Sequence, residues 1–423
     1  MELDRSRKLR IGEAMKITTL ILIALTSLLT GCGETKKEIV IGYIEGLSGP
    51  FANVGEMGLR HLELEVDAVN ERGDLPGGMR LKVAPFDNKT NPQEALLAFR
   101  SALDAGVDYV FQGNSSSVAL ALSDAIGKHN ERNPDRQVLF LNYAAVDPAL
   151  TNDRCDKSHF RFDADVDMKI SALTDYMASR KDIKSIYLIN QDYSFGQAVS
   201  KAARSMLQEK RPDIKIVGDD LHPIGKVKDF SPYIAKIKAS GAKAVLTGNW
   251  GNDMTLLIKS AKQMGADVDF YTFYAGAAGG VTVIGESGID RVYQITTWHS
   301  NANADTKSNA RTYADRYPDA PESLYYSSIR RAVRMLEKAL IETGSSDVDG
   351  IRSSLSSMTF TDDTGPISIR PDNHQLLQPL YLSKLISVEG MSDMVDVEKT
   401  GLGFETIVEI PAENTRLDTT CQF

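Results

Sequence analysis

Apolar residues follow two alternating spacings along the chain from residue 39 onward. Short runs rich in Val, Ile and aromatic residues alternate with longer segments in which apolar positions recur three and four residues apart. The first spacing is typical of buried strands, and the second of helices that pack on one face. In the first half of the chain the predicted strands are Ile39–Ile44, Leu81–Phe86, Tyr109–Gln112 and Val138–Leu141. Because helical segments separate them, they predict a parallel sheet.

The same alternation restarts after a pause at Asn152–Asp167. Helices are predicted near 309–317 and 324–342, and Pro366–Val388 is β-rich. The predicted fold class is therefore α/β, with two doubly wound parallel-sheet lobes joined by a hinge and a cleft between them. The strands predicted in the second half are Ser185–Ile189, Ile214–Asp219, Ala244–Thr247, Asp269–Phe273 and Val292–Thr297.

An export signal is predicted ahead of this alternation. The long apolar run at 17–30 follows a basic stretch that ends at Lys16, which is the layout of a secretory signal and is short for a membrane span. The run ends in Leu29-Thr30-Gly31-Cys32, which resembles the lipobox of bacterial lipoproteins. We predict a signal peptide at 1–31 and lipidation of Cys32. The alternative is an ordinary signal with a chance cysteine, and Met15 is an alternative start to Met1.

Charge and cysteine content restrict the function further. The chain has 423 residues and a net charge of −9, which becomes −11 once the five basic and three acidic residues of the signal are removed. This acidic balance excludes a broad basic surface that could bind nucleic acid. Cys155 and Cys421 then remain as an even pair in an oxidising compartment, which favours a disulfide; two free buried thiols are the alternative.

Candidate binding residues lie in the loops after predicted strands, because ligands of open α/β sheets bind beyond the carboxyl ends of the strands. Trp250 and Trp298 both fall just past strands and, with other aromatic residues, predict an aromatic-walled pocket. Ser115–Ser117 has two compatible interpretations, a helix N-cap and a seat for a carboxylate; three consecutive serines exceed what a cap needs, which favours ligand contact. The candidate ligand-binding residues are Ser48, Asn114, Ser115, Ser116, Tyr143, Ala144, Tyr193, Phe195, Trp250 and Tyr274.

The sequence contains no recognisable catalytic or metal-binding motif. Its six histidines have no metal-ligand spacing, and it has neither a Walker A sequence nor a Gly-x-Gly-x-x-Gly after a strand. Asp163–Asp167 lacks the Gly and the distal Glu of a calcium loop, so we interpret it as a solvated, helix-capping run. Arg161 is interpreted as part of a structural salt bridge, with a role at the hinge or toward a ligand charge as the alternative. We expect no metal, no cofactor and no enzymatic activity.

Six motifs spread over nearly all of the mature chain point to one family. They are Gly46-Leu47-Ser48-Gly49-Pro50, Ala68–Gly73 with the Gly77-Gly78 turn, Asn114–Ser117, Asp147–Thr151, Tyr193–Gly196 and Lys228–Ser231. In order and spacing they resemble the periplasmic solute-binding proteins of branched-chain-amino-acid-type ABC transporters, which have the type I periplasmic binding fold. The resemblance implies a non-catalytic receptor whose two lobes close around a small solute.

The resemblance also implies roles for individual residues. In that family the serines after the third strand hold the ligand carboxylate, and an aromatic residue of the Tyr-Ser-Phe-Gly-like motif lines the second lobe. By position, Ser115 with its neighbours takes the first role. Tyr193 or Phe195, together with Trp250, takes the second.

Two departures from the family pattern affect the expected ligand. Val146 stands where amino-acid binders place Thr or Ser, and Tyr274–Gly279 lacks the acidic residue that meets the α-ammonium group. A buried ammonium without an anion is costly. Among small polar or carboxylate-bearing solutes, amino acid-like ones included, we therefore expect an aromatic acid, an amide or a urea-like solute rather than an ordinary α-amino acid.

The domain division and the partners follow from the same resemblance. We expect an N-terminal lobe of 32–160 plus about 295–358, a C-terminal lobe of 161–294 plus about 359–400, and a C-terminal tail at 401–423. The expected partners are a small-molecule solute, the permease and ATPase subunits of an ABC transporter, and a bacterial membrane reached through the lipid anchor in the periplasm. The alternative function is a ligand-binding sensory subunit that signals to a membrane partner.

Overall fold

The computed structural model describes residues 38–318 and 325–423. The predicted signal peptide at 1–31 and the predicted lipidation site, Cys32, lie outside the described residues. Within those two ranges, no helix combines the length and the apolar character needed to cross a membrane. Two large sheets and one small sheet organise this part of the chain.

The first sheet has five parallel strands in the order β2-β1-β3-β4-β5. All four strands predicted in this half are present, and the short fifth strand was not predicted. The strands are β1 (Glu38–Glu45), β2 (Arg80–Asp87), β3 (Tyr109–Gln112), β4 (Leu139–Asn142) and β5 (His159–Arg161). The helices after the first three strands are α1 (Ala52–Arg72), α2 (Pro92–Asp104) and α3 (Ser116–Arg132).

The first helix illustrates how local sequence determines an element. Leu62, Val66 and Val69 recur at helical spacing and are buried. Gly73 follows the helix with a φ of 71°, a left-handed conformation that glycine adopts without steric cost. Gly73 therefore ends the helix directly after Arg72.

The second sheet has seven strands in the order β15-β14-β10-β9-β8-β6-β7. Five of them are parallel: β6 (Ser185–Gln191), β7 (Lys215–His222), β8 (Ala244–Thr247), β9 (Asp269–Thr272) and β10 (Val292–Thr296). The other two, β14 (Leu380–Ser387) and β15 (Leu402–Ile410), pair antiparallel. The helices of this lobe are α4 (Val166–Ser179), α5 (Ser194–Lys210), α6 (Ser231–Ser240), α7 (Gly251–Gln263) and α8 (Gly280–Ile284).

The last strand corrects the predicted C-terminal tail at 401–423. Residues 402–410 pair with β14 along their length and bury Leu402 and Phe404. The sequence signal is weak because the strand lies at the edge of the sheet, and its outer half alternates exposed and half-buried residues. The all-parallel expectation for this lobe is therefore replaced by a mixed sheet with an antiparallel edge.

The segment between β10 and β14, both strands of the second sheet, returns to the first lobe. Its helices are α9 (Ala304–Arg316), α10 (Tyr325–Thr343) and α11 (Val348–Leu355), followed by β11 (Thr359–Asp362), β12 (Gly365–Ile369) and β13 (Leu376–Leu377). Helix α10 packs on α1, where Tyr326 donates to Glu65 at 2.6 Å and Arg72 pairs with Glu337 at 2.9 Å. The chain therefore passes between the lobes more than once.

The predicted pause at Asn152–Asp167 contains β5 and leads into α4. Arg161 on β5 is fully buried and forms an ion pair with Asp165 at 3.0 Å, so the predicted salt bridge is present. Asp165 caps α4 by accepting from the Met168 N–H. The predicted capping role is thus confirmed, but the predicted solvation is wrong, because Asp163 and Asp165 are buried. Arg161 and Lys169, four and six residues away in the chain, pair with Asp165 and Asp163 and compensate that burial.

A disulfide links the end of the chain to the first lobe. Cys155 and Cys421 are bonded, with an S–S distance of 2.03 Å, across a sequence separation of 266 residues. Beside the bond, the Thr419 hydroxyl donates to the Thr151 carbonyl at 2.7 Å. The residues after β15 therefore run from the second lobe back to the first.

Candidate ligand-binding site between the lobes

A small cavity lies where the carboxyl ends of the two large sheets face each other. Eight of the ten predicted ligand-binding residues line it: Asn114, Ser115, Ser116, Ala144, Tyr193, Phe195, Trp250 and Tyr274. Gly113 and Val146 complete the lining. The cavity volume is about 10 Å³, room for one water-sized molecule. The lobes are therefore closed.

On the first lobe most of the lining is the loop of residues 113–116, here called the serine loop, and Ala144 and Val146 supply the rest. Ser115 occupies the N-cap position of α3, yet its side chain makes no capping hydrogen bond. Its hydroxyl is 3.0 Å from that of Ser117, and Ser116 accepts from the Asp147 N–H at 3.2 Å. The structure therefore does not show the Ser115 side chain capping α3, which was one of the two interpretations of these serines.

The backbone of Ser115 is strained, with a φ of 77°. A non-glycine residue in this region costs free energy and persists only where surrounding contacts impose it. Asn114 beside it is 5% exposed, and its Nδ2 has no hydrogen-bond partner within the part of the chain that the structure describes. The loop thus presents an unpaired amide donor and the N-terminus of α3, both of which favour an acceptor or an anion.

Glu45, which was not among the predicted residues, accepts hydrogen bonds from the serine loop on the side opposite the cavity. It ends β1 and is fully buried. Its Oε1 accepts from the Gly113 N–H at 2.5 Å, the Asn114 N–H at 2.8 Å and the Tyr143 hydroxyl at 2.7 Å. Burial raises the pKa of Glu45 to about 7, although these hydrogen bonds act in the opposite direction. The signal in the sequence that could have identified Glu45 is an acidic residue at the carboxyl end of a buried strand.

Two predicted binding residues lie outside the cavity lining. Tyr143 is buried behind the serine loop and donates to Glu45, so it supports the loop without lining the cavity. Ser48 donates to Asp87 at 2.6 Å on the exposed side of the β1 loop. The sequence correctly placed Tyr143 and Ser48 in loops after strands. It could not predict the direction of their side chains, because their partners, Glu45 and Asp87, lie far away in the chain.

On the second lobe the lining consists of Tyr193, Phe195, Trp250 and Tyr274, here called the aromatic wall. The indole N–H of Trp250 donates to the Tyr193 hydroxyl at 2.8 Å, and the rings of Phe195 and Tyr274 lie 6.1 Å apart. Behind the wall, Lys169 is 5.3 Å from the Tyr274 ring centre and pairs with Asp163 at 2.8 Å. The wall is therefore built of aromatic side chains, the indole N–H of Trp250 has a partner within it, and the Lys169 charge behind it is paired.

Contacts between the lobes close the mouth of the cavity. Phe51, from the loop after β1, stacks on Trp250 with 4.2 Å between ring centres, and both residues are buried. Asn252 donates to the Pro50 carbonyl at 3.0 Å. Phe51 is not among the predicted binding residues, because its partner is about 200 residues away in the chain.

Trp298, the other tryptophan singled out in the sequence, belongs to a different cavity. It lies with Tyr313, Tyr317 and Phe404 around a space of about 310 Å³ beside α9. Its indole N–H donates to Asp363 at 3.2 Å. The prediction of one aromatic-walled pocket shared by both tryptophans is therefore wrong, although this second cavity is the larger one. The smaller cavity is the candidate site because polar and aromatic strand-end residues from both lobes converge there.

Comparisons with known proteins agree with the two-lobed α/β fold. A family model described as periplasmic binding protein matches residues 38–389. The chain is 27% identical over 372 residues to Leu/Ile/Val-binding protein homolog 4 of Brucella melitensis, covering 86% of this chain and 88% of that protein. It superposes with a TM-score of 0.81 on the closed Leu-, Ile-, Val-, Thr- and Ala-binding protein of Brucella ovis, at 26% identity over 91% of this chain and 99% of that one. A solute-binding protein of R. palustris in complex with benzoate has the same fold, with a TM-score of 0.74 and 18% identity over 91% of this chain and 100% of that one.

Proposed function

The chain belongs to the periplasmic binding protein family, in the type I class of branched-chain amino acid ABC transporters, and from this premise we propose that it is the receptor for a small carboxylate-bearing solute with an aromatic or other apolar body. Its family and its homologues are named as binding proteins, and this protein is likewise a binder and not an enzyme. In this proposal the lobes close around the solute, and the complex delivers it to a permease.

The observation that carries the proposal is the division of polarity across the cavity. Donor groups lie on the first lobe, in the serine loop, and aromatic rings lie on the second, in the aromatic wall. Of the residues that line the cavity, none is acidic or basic. A carboxylate therefore fits the serine loop, and an apolar body fits the wall.

An α-amino acid fits this lining less well. Its ammonium group needs an anion or several acceptors when it is buried, and Tyr274 with the small residues after it supplies no carboxylate. Val146, which lines the first lobe, offers a methyl surface in place of a hydroxyl. The fold itself does not decide the ligand class, because its relatives include proteins named for amino acids and one with bound benzoate.

Closure would follow from contacts on both lobes. A ligand shifts an open-to-closed equilibrium only by its difference in affinity for the two states. A carboxylate on the serine loop and a ring against Trp250 supply that difference, and Phe51 on Trp250 adds a contact that forms when the lobes meet.

Export, lipid anchoring at Cys32 and transfer to the permease complete the proposed role. The family supports a periplasmic location, and lipidation at Cys32 would keep the receptor beside its transporter. Mass spectrometry of the membrane-extracted protein tests the anchor. Stimulation of ATP hydrolysis by the reconstituted permease and ATPase tests delivery, and its absence with a bound solute would favour a sensory role.

The solute class is tested by calorimetry and thermal unfolding of the mature chain. The panel is benzoate, 4-hydroxybenzoate, benzamide, urea, leucine and valine. Benzoate or its hydroxylated form should bind, and at a hundred times Kd it should add about 2.7 kcal/mol to the free energy of unfolding. Tight binding of leucine or valine, with the aromatic acids inert, would overturn the proposed class.

A further inference from the structure

The serine loop rests on a buried carboxylate that has no cationic partner. Glu45 accepts from the N–H groups of Gly113 and Asn114 on the side of the loop that faces away from the cavity. Through the part of the chain that the structure describes, no Lys, Arg or His lies within ion-pair distance of it. Its ionised form therefore depends on hydrogen bonds alone, in a site without solvent.

Each group that faces Glu45 keeps one charge state near neutral pH. On β1, burial raises the pKa of Tyr43; after β4, burial raises that of Tyr143; both phenols stay neutral. On β2, Asp87 is its register partner; burial acts to raise the pKa of Asp87, but hydrogen bonds from the Ser48 hydroxyl and backbone N–H groups outweigh it and lower that pKa, so Asp87 stays ionised.

The remaining elements add no charge beside Glu45. Helix α1 presents Gly55, whose carbonyl accepts from Tyr43 at 2.8 Å, and α3 begins with Ser116. Lys89, in the loop before α2, is exposed and pairs with Glu94 at 3.0 Å. Glu45 is therefore the group of this cluster whose protonation changes in the neutral range.

We propose that Glu45 couples solute binding to a proton, so that an anionic solute on the serine loop binds with uptake of one proton by Glu45, while a neutral solute of the same shape binds without it. This inference rests on the proposed function, because it needs an anion at the serine loop. Its physical reason is that two buried carboxylates on opposite sides of the serine loop, with no cation paired to Glu45, repel each other. Protonation of Glu45 removes the repulsion and keeps its carbonyl oxygen as the acceptor for the loop.

The direction of the pH dependence follows from linkage. In the solute-free protein the pKa of Glu45 is raised from 4.5 to about 7, so the stability linked to its protonated form is complete below 4.5 and is lost as pH rises through about 7. A bound anion raises this pKa further. Affinity for the anion should thus be highest below pH 7 and weaken by about tenfold per pH unit above it, until the pKa of the bound state is reached.

Calorimetry with benzoate and benzamide from pH 5.5 to 8.5 tests the coupling on the mature chain. Benzoate is ionised throughout this range, and benzamide is its neutral isostere. Titration in two buffers of different ionisation enthalpy counts the protons directly. The wild type should take up close to one proton with benzoate near pH 8 and none with benzamide, and only the benzoate affinity should fall with pH.

The variant Glu45→Gln reproduces the protonated shape. It should bind benzoate with the wild type's low-pH affinity at every pH, without proton uptake. Glu131→Gln, at an exposed glutamate near the end of α3, is the matched control and should keep the wild-type profile. If Glu45→Gln fails to fold, the proton count on the wild type still decides the matter.

Three results would overturn the coupling. They are equal pH slopes for benzoate and benzamide, an unchanged benzoate slope in Glu45→Gln, and no benzoate binding at any pH. In the last case the receptor function survives if another solute of the panel binds. A merely structural Glu45 would change the pH profile of unfolding in urea but not the proton count on binding.

Discussion

The two surfaces that face each other across the cavity are built on different principles. The serine loop presents backbone positions and short polar side chains, and buried Glu45 fixes it from behind. The aromatic wall presents large side chains that pack on one another, and Trp250 makes its contact with Phe51 across the lobes. One surface is suited to recognise a charge and the other a shape. Truncating a side chain should therefore damage the wall most, while a change of charge or of backbone should damage the loop most.

The largest effect is expected from Trp250→Ala. Removing this buried side chain deletes the contact with Phe51 and the donor to Tyr193, and should cost about 3–5 kcal/mol of unfolding free energy. Benzoate affinity should fall at least about 30-fold, as expected for a central aromatic contact. Trp298→Ala is the control, since Trp298 lines the other cavity: it should destabilise the fold while benzoate affinity stays near that of the wild type. Equal losses of affinity in both variants would show that the wall has no special role.

Cys421→Ser separates stability from recognition. Breaking the bond to Cys155 should lower the free energy of unfolding by about 2–5 kcal/mol, because a loop of this length is no longer closed in the unfolded chain. Benzoate affinity should change less than twofold, because neither half of the cavity contains the bond. Urea unfolding and calorimetry of the oxidised wild type and the variant measure both quantities. A large change in affinity would mean that the segment after β15 helps to set the closed state.

Asn114→Asp reverses the polarity of the serine loop with little change of shape. The unpaired amide donor becomes an acceptor, and a negative charge is added beside Glu45. A hydrogen bond to a charged group contributes about 1.5–3 kcal/mol, so benzoate should bind roughly 10- to 100-fold more weakly. Benzamide should be affected less, because it carries no charge. Calorimetry of both compounds on both proteins gives the comparison, and equal losses would place the carboxylate elsewhere.

The parts of the site that were visible in the sequence are those that topology alone determines. Strand-end loops follow from the alternation of strands and helices, which is why Asn114, Ser115, Tyr193 and Trp250 were selected and are found together. Phe51 was not, because its role exists only through Trp250 on the other lobe.

The same distinction explains the other differences. Glu45 needs the N–H groups of a loop about 70 residues later, and no local pattern reports that contact. Strand β15 was missed because an edge strand buries few of its side chains, and the buried acids of the pause at 152–167 were misjudged because Arg161 and Lys169 pair with them. The contact of Glu45 joins segments distant in the chain, whereas the buried acids are paired with cations only four and six residues away.

The smallest effect is expected from Ser115→Gly, which tests whether the loop acts through its backbone. Glycine adopts a φ of 77° without steric cost, so the substitution removes the strain and the hydroxyl but keeps the N–H group in place. Because the relief of strain offsets the loss of the hydroxyl, the free energy of unfolding should rise by no more than about 1 kcal/mol. Benzoate affinity should fall less than about tenfold, since the loop keeps its backbone donors. Ser115→Ala keeps the strain and also loses the hydroxyl, so it should be the less stable of the two with a similar affinity. If both variants abolish binding, the Ser115 hydroxyl is itself the principal contact to the solute, and the contrast between a backbone surface and a side-chain surface fails.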